Sequence, residues 1–446
     1  MKKIVSILVI ILISVVAVSC RKEEEVKTIV IMHGSVGEVD PFHIDYSTRS
    51  DREEKQALQR KVEEEFNIKI EYKPYPSNAG WGPARVNAII EAYQAKKPLA
   101  DIYWTTTSWT SRLADSYAIS PVDEWMQEYG SNIDQTVYEI GSYNEKLYSF
   151  FPEKATGQLG LYFNENLLRD KDIENPVDIF IRGEWTWSKF KEWAEQAQAK
   201  MSKEASNEQY VLGGMLPIWT QSLIPLNGGT LINKETKRVA FTQAPALETY
   251  AFMQELWNNQ LFEPKGEYDT GSAEWNSGRV LMHPGAFWFL NADNRWKGLS
   301  FDLGYVPYPV SDSFKSKGGE YITYVSGEAV YNVANSEDKE RQKLAFQVWN
   351  ALQLWKTPEF QEREFSAKLR SNFGGNDKYV NAFLSVYNNV YLELVDDLGI
   401  SAYGDGGWRS TIGAAIKGTD GKEPRSAVES IAPIYQEALD SFFAKK

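Results

Sequence analysis

The chain has 446 residues, a formal charge of -13, 43% hydrophobic residues and 24% charged residues. This acidic balance excludes a nucleic-acid partner, which needs clustered Lys and Arg against phosphate, and the ordinary composition excludes a disordered or fibrous chain. One cysteine rules out a disulfide within the chain, while 15 Trp, 24 Tyr and 21 Phe exceed what packing alone calls for, so some rings are expected to face a ligand.

Met1-Lys2-Lys3 forms a short cationic start, and residues 4–18 are an almost unbroken apolar run. The run is shorter than the roughly twenty residues of a permanent membrane helix, so it reads as a cleaved export signal. Ala17-Val18-Ser19-Cys20 resembles the bacterial lipoprotein processing box, in which the cysteine thiol is acylated and becomes the new N-terminus. Ala17 stands where Leu is commonest. That resemblance implies lipidation at Cys20 and a membrane anchor facing the periplasm or cell exterior. The alternative is an ordinary signal peptide followed by a buried cysteine. Arg21-Lys22-Glu23-Glu24-Glu25 reads as a solvated tether.

About 425 residues follow the signal, more than one hydrophobic core usually serves, so two domains are expected. Residues 26–32 are β-branched and read as a buried strand. Ala57, Leu58, Val62 and Phe66 fall on one helical face, and Ile68, Ile70 and Tyr72 then alternate as a strand. Val86, Ile89, Ile90 and Tyr93 mark a second helix, and residues 101–104 a third strand. This βαβαβ start implies a parallel sheet flanked by helices. Thr186 is the expected N-cap of a helix carrying Phe190, Trp193, Ala194 and Ala197, and Pro245 opens another carrying Leu247, Tyr250, Ala251 and Trp257. After Ser336 a helix with Ala345, Val348, Trp349, Leu352 and Trp355 is predicted, and then one running through Val380, Phe383, Leu384, Tyr387, Val390, Tyr391 and Leu394. Residues 428–442 are helical by spacing, with Pro433 expected to kink or interrupt them. There is no internal repeat or low-complexity segment.

Several stretches in order resemble the extracellular solute-binding protein family 1, the maltose- and oligosaccharide-binding type. They are Phe66-Asn67-Ile68-Lys69-Ile70-Glu71; Lys97-Pro98-Leu99-Ala100-Asp101-Ile102-Tyr103-Trp104; Gly160-Leu161-Tyr162-Phe163-Asn164; Glu184-Trp185-Thr186-Trp187-Ser188-Lys189-Phe190; Ser277-Gly278-Arg279-Val280-Leu281-Met282; and Gly304-Tyr305-Val306-Pro307-Tyr308-Pro309. The resemblance implies an α/β, two-lobed fold of the type II periplasmic binding class, with a ligand cleft and hinge between the lobes. It also implies a monomer that hands a carbohydrate, an oligosaccharide by preference, to ABC-importer permeases, without enzymatic activity or cofactor. Mapped onto this sequence, lobe one is expected at 26–153 with 277–326, and lobe two at 154–276 with 327–446. Glu328 departs from the pattern by placing a charge close to the expected hinge.

Ligands of α/β sheets sit beyond the carboxyl ends of strands. After Trp104 come Thr105, Thr106, Thr107, Ser108 and Trp109, hydroxyls between two indoles. A sugar uses both, because its hydroxyls want donors and acceptors while its C–H faces lie on aromatic rings. Glu38 and Asp40, in the loop after the first strand, are either sugar-binding carboxylates or a solvated loop. The Tyr403, Asp405, Trp408 and Arg409 loop is glycine-rich, which allows close approach, and a helix is predicted to begin at Ser410. The family segment there commonly carries a stacking tryptophan, which the resemblance places at Trp408. It likewise points to Trp219 with Gln221, and to Phe287 with Trp288; Trp81, between two glycines, is the expected gate. Trp193, Trp257, Trp349 and Trp355 lie on helical stripes and are expected in cores.

The three histidines, His33, His43 and His283, show no metal-ligand spacing. Ser188-Lys189-Phe190-Lys191 matches S-x-x-K without the motifs that accompany it in acyl-transferring enzymes. A glycosidase or lyase built on paired carboxylates is the alternative of another class. Within the binding class, a non-sugar solute such as a peptide or polyamine, or a purely signalling receptor, also stays open.

Overall fold

The computed structural model describes residues 26–48, 51–133, 137–152, 157–292, 294–354 and 358–443; the signal, Cys20, the tether and Trp355 lie outside them. The N-terminal portion holds strands β1 (Lys27–His33), β2 (Ile68–Pro74) and β3 (Ile102–Thr106), and helices α1 (Arg52–Phe66), α2 (Pro83–Gln94) and α3 (Thr107–Asp115). The βαβαβ expectation holds, with β1 parallel to β2 and to β3. Ile29 and Ile31 of β1 enter one core with Val62 of α1, while Met32 enters another with Val86 and Ile89 of α2. That two-sided burial is what a central parallel strand requires. Asn67 ends α1 in the left-handed region at φ 49°, which turns the chain directly into β2.

Further on come β4 (Ser149–Phe150), β5 (Leu159–Asn164), α4 (Trp187–Gln198), β6 (Tyr210–Leu212), α5 (Leu216–Leu223) and α6 (Ala244–Asn258). They are followed by β7 (Val280–Ala286), β8 (Leu303–Val306), β9 (Thr323–Val325), β10 (Ala329–Val333) and α7 (Lys339–Ala351). The chain ends with α8 (Asp377–Tyr387), β11 (Val390–Leu392), α9 (Trp408–Lys417) and α10 (Pro424–Phe442). The first sheet has the order β2-β1-β3-β10-β4 and the second β8-β5-β7-β6.

This pairing corrects the expected lobe boundaries. β7 and β8 both run antiparallel to β5, so the 277–306 stretch belongs to lobe two, whereas β10 runs antiparallel to β3 and carries α7 into lobe one. Every residue of β7 is buried, and only a central place between β5 and β6 covers both of its faces. Phe346, Val348 and Trp349 of α7 pack with Ile31 and Phe150 in the core of lobe one. Lobe one is thus built from the chain up to β4 plus β10 and α7, and lobe two from β5 to β9 plus the C-terminal portion. The chain passes between the two sheets three times: between β4 and β5, between β9 and β10, and beyond α7.

Other local differences have clear causes. α8 stops at Tyr387, and Val390 and Tyr391 form β11, parallel to β9. Asp338 caps α7, accepting from the Arg341 N–H at 2.9 Å. α10 runs without interruption past Pro433 from Pro424 to Phe442.

The returning segment is anchored by charge as well as by packing. Arg341 grips Asp101 with Nε at 2.6 Å and Nη2 at 2.9 Å, and also donates to the Thr28 carbonyl at 2.6 Å; Asp101 accepts from the Val30 N–H at 2.8 Å. A bidentate pair of this kind joins α7, β1 and the start of β3. Arg341→Ala strands the mostly buried Asp101, so the denaturant midpoint of lobe one should fall, with a loss of about 2–4 kcal/mol in unfolding free energy followed by circular dichroism.

Candidate functional site

The carboxyl ends of β1, β2 and β3 carry an aromatic wall. Trp104, in β3, has the His33 ring 4.3 Å away and the Trp81 ring 4.9 Å away; Trp81 also lies 4.5 Å from Trp109. Tyr75, just past β2, donates its hydroxyl to the Trp104 carbonyl at 2.8 Å, and the Arg85 guanidinium of α2 lies 3.9 Å from the Tyr75 ring centre. Trp81 is 55% exposed, an unusual position for an indole with no polar surface to present except one N–H. Gly34 is required beside it, because a Cβ there would come within 2.8 Å of the Trp104 ring.

Lobe two presents a second wall beside the crossing strands. Trp288 follows β7, and the N–H of Phe287 donates to the Gln158 carbonyl at 2.9 Å, which sets it against the chain entering lobe two. The exposed Trp288 packs edge-on against Phe289 at 4.5 Å, with the Arg295 guanidinium 5.4 Å from its ring and Arg295 held by Asp269 at 2.6 Å. Near the β9–β10 crossing, Arg409 reaches Asp396 at 2.6 Å and Gln221 Oε1 at 3.0 and 2.9 Å, and lies 5.5 Å from the half-exposed Tyr403 ring. Ser326, within that crossing, donates to Asp396 at 2.7 Å.

The lobes touch where α3 begins. Thr107 Oγ1 donates to Asp397 Oδ1 at 3.0 Å, Ser111 donates to the Asp397 carbonyl at 3.2 Å, and the Thr107 N–H donates to the Glu328 carbonyl at 2.9 Å. Each lobe thus carries an aromatic cluster, and polar contacts around Thr107 and Asp397 join the lobes. A recess of about 350 Å³ elsewhere, lined by Asp101, Glu337 and Arg341, lies at the opposite end of β3 from this arrangement.

A model of the bacterial extracellular solute-binding proteins matches residues 49–360. The chain belongs to that family. Solved structures agree in fold. The GacH receptor of Streptomyces glaucescens, solved unliganded and with acarbose, is 15% identical with a TM-score of 0.57, covering 94% of this chain and 100% of its own. The substrate-binding protein Lmo0181 of Listeria monocytogenes, in complex with cycloalternan, is 11% identical with a TM-score of 0.63, covering 93% and 99%. The cyclic α-maltosyl-1,6-maltose binding protein of Arthrobacter globiformis is 14% identical with a TM-score of 0.63, over 93% and 99%. Comparison with curated protein sequences finds no match. The fold is the two-lobed type II class, and membership of the family implies export, a small-molecule ligand and ABC permease partners. Among the described residues, no helix is long and apolar enough to cross a membrane, and no cluster of three or more His, Cys, Asp and Glu could hold a metal.

Within this solute-binding protein, the residues singled out from the sequence divide in two. Trp81, Trp104, Trp109 and Ser108 gather on the wall of lobe one, and Trp288, Tyr403 and Arg409 lie on lobe two, while Glu38 and Asp405 are exposed and Asp40 half-buried in their loops. The others are not available to a ligand. Trp408 is 1% exposed, with its backbone N–H donating to the Tyr435 hydroxyl at 2.8 Å; it opens α9 and packs in the core of lobe two rather than standing on a loop. Trp219 is fully buried with its indole N–H on the Gly213 carbonyl at 2.8 Å, Gln221 is buried and spent on Arg409, and Phe287 packs between Phe365 and Phe383. Thr105 and Thr106 are buried strand residues. Thr105 bonds Asn332 in a network with Ser149 and Thr110, which holds β3, β10, β4 and α3 together. The hydroxyl run is a seam of the sheet, because alternate residues of a central strand must point inward. Sequence reasoning missed Tyr75, Arg85, Arg295, Asp396 and Asp397. The pair Asp396-Asp397 after β11 could have been found had that strand been separated from α8.

Burial shapes the charges of the hinge. Glu328, half-buried beside Thr107, and Glu393, buried at the end of β11, are both raised to about 7 by desolvation. Asp397 is raised by desolvation and by Asp396, while His33 is lowered to about 4 by burial and kept neutral. For Glu393 the fold favours the protonated form. The stability it lends is present below the ordinary pKa of 4.5 and lost as pH rises through about 7. Glu393→Gln removes this dependence. The advantage of the wild type over the variant should shrink by on the order of 3 kcal/mol across that window, read by urea unfolding at a series of pH values.

Proposed function

We propose that this chain is a lipid-anchored carbohydrate receptor that closes its two lobes on an oligosaccharide and delivers it to membrane permeases. The observation that carries the reading is the pair of exposed indoles, Trp81 at the carboxyl-end edge of the lobe-one sheet and Trp288 on lobe two beside the chain entering it, each backed by other rings. Rings with one face packed and the other wet suit the C–H faces of a pyranose and contribute area at little entropic cost. Hydroxyl partners are supplied nearby by Ser108, Tyr403 and the carboxylates of the loops. Relatives of the same fold bind acarbose, cycloalternan and a cyclic maltosyl-maltose, which supports sugar as the solute class. Anchorage is read from the Ala17-Val18-Ser19-Cys20 box and the absence of any other cysteine in the chain.

A thermal-shift screen against mono- and oligosaccharides tests the ligand class, since a bound ligand raises the apparent stability by mass action. Trp81→Ala and Trp288→Ala should each weaken binding of the hit by about tenfold or more without lowering the ligand-free Tm. Trp408→Ala should instead destabilise lobe two by about 3–5 kcal/mol, because it empties a core position. Unchanged affinity in both surface variants would remove Trp81 and Trp288 from the site, and release of new reducing ends from an oligosaccharide would sink the receptor reading.

The anchor has its own test. Cys20→Ser should abolish incorporation of labelled fatty acid and move the protein from the membrane to the soluble fraction; a variant that stays with the membrane would overturn lipidation at this residue.

A further inference from the structure

Arg295, Arg341 and Arg409 are partly buried, and each holds an aspartate at 2.6 Å. Arg85 is only 6% exposed, yet no carboxylate pairs with it among the described residues. Among the described residues its side chain makes one hydrogen bond, from Nε to the Ala79 carbonyl at 3.3 Å, and its Nη1 is buried without a partner. The guanidinium lies 3.9 Å from the Tyr75 ring centre, 5.2 Å from that of Trp81 and 6.0 Å from that of Trp104. Stacking on rings offsets part of the cost of withdrawing a cation from water but leaves its N–H donors unsatisfied.

The location gives this imbalance a meaning. Nη1 is 3.6 Å from where a Cβ on Gly34 would stand, at the carboxyl end of β1, and the surrounding rings follow β2 or belong to β3. This is the edge at which parallel α/β sheets present groups to ligands. The other titratable ring there does not compete for an anion as a cation, because His33 is neutral above a pKa of about 4. A buried donor set with no anion of its own, in the aromatic wall of a binding cleft, is complementary to a ligand that brings one.

We propose that the saccharide captured by this cleft carries an oxyanion, a uronate carboxylate or a sulfate ester, and that Arg85 is its counter-ion. The inference rests on the carbohydrate reading above and narrows it to acidic sugars.

Isothermal titration of the purified chain at low ionic strength would compare three sets of oligosaccharides: neutral, uronate-containing and sulfated. The wild type should bind one acidic set at least about 30-fold more tightly than the neutral one, with the preferred set identifying the oxyanion, and this preference should decline with added salt. Arg85→Gln should lose the preference while keeping a ligand-free Tm equal to or above the wild type, since it removes an uncompensated charge. Arg85→Lys should keep part of the preference, having the charge without the fork. Equal or tighter binding of neutral sugars, or an Arg85→Gln variant that retains the preference, would overturn the assignment and leave the sugar reading standing. A fall in the ligand-free Tm of Arg85→Gln by more than about 5 °C would show a structural role and overturn it too. Binding of no saccharide from any set would overturn both readings together.

Discussion

The insertion of β10 between β3 and β4 is the constraint on which the rest of the architecture depends. The strands β5 to β8 that make up the second sheet all precede this return, so the return carries the backbone across the gap between the two sheets. A polypeptide that passes between two sheets three times cannot merge them into one, and the space between them becomes a cleft bounded by the crossings. The antiparallel register of Ala329↔Thr106 to Val333↔Ile102 brings the crossing that precedes β10 against the start of α3. There the Thr107 N–H, free as the first donor of a helix, finds the Glu328 carbonyl. Gly327, at φ 65°, makes the bend with a backbone that a residue bearing a Cβ rarely adopts. The small parallel pair of β9 and β11 lies where the two cores meet, with Val325 in the core of lobe one and Leu394, just beyond β11, in that of lobe two.

How much of this was legible in the sequence depended on the range of the interaction. The βαβαβ start was readable because its signals are local: β-branched strands, one-sided helices and an asparagine that ends α1. The lobe boundaries were not, because a strand's own residues do not say which sheet it joins. β7 reads as an apolar run in either lobe, and only its pairing with β5 and β6 assigns it. α8 and β11 were merged for a similar reason, since Tyr387, Val390 and Tyr391 continue an apolar spacing through a turn that carries no glycine or proline.

The aromatic residues show the same limit at the site. Trp81, singled out from its flanking glycines, and Trp288, singled out by the family resemblance, are both exposed, whereas Trp408 was misjudged because glycines on its N-terminal side suggested an open loop. In the structure those glycines let the chain turn tightly into α9, and the indole falls inward among Ile412, Tyr435 and Leu439. Composition could not separate the two cases: an indole is equally fit for a core and for a sugar, and burial alone distinguishes them. The threonine run after Trp104 was misjudged through periodicity, since Thr105 and Thr106 belong to a buried strand and Thr105 spends its hydroxyl on Asn332.

Charge completes the picture, because the molecule treats acids and bases at the hinge differently. Glu328, Glu393 and Asp397 are all pushed toward their neutral forms by burial, and Asp397 stands as acceptor to Thr107 across the lobes. Of these only the Asp397 carboxyl ties the lobes directly, while Glu393 accepts from the Leu231 and Val395 N–H groups within lobe two. Arg409, close to the same crossing, is neutralised by Asp396, and Arg295 behind Trp288 by Asp269. Arg85, by contrast, has no carboxylate paired with its charge among the described residues. In the proposed closure, exclusion of water would lower the effective dielectric around it and strengthen its attraction for an anion. An anion of the ligand would then be held most strongly in the closed form, the state that its charge would itself help to stabilise, so that recognition and closure draw on one interaction.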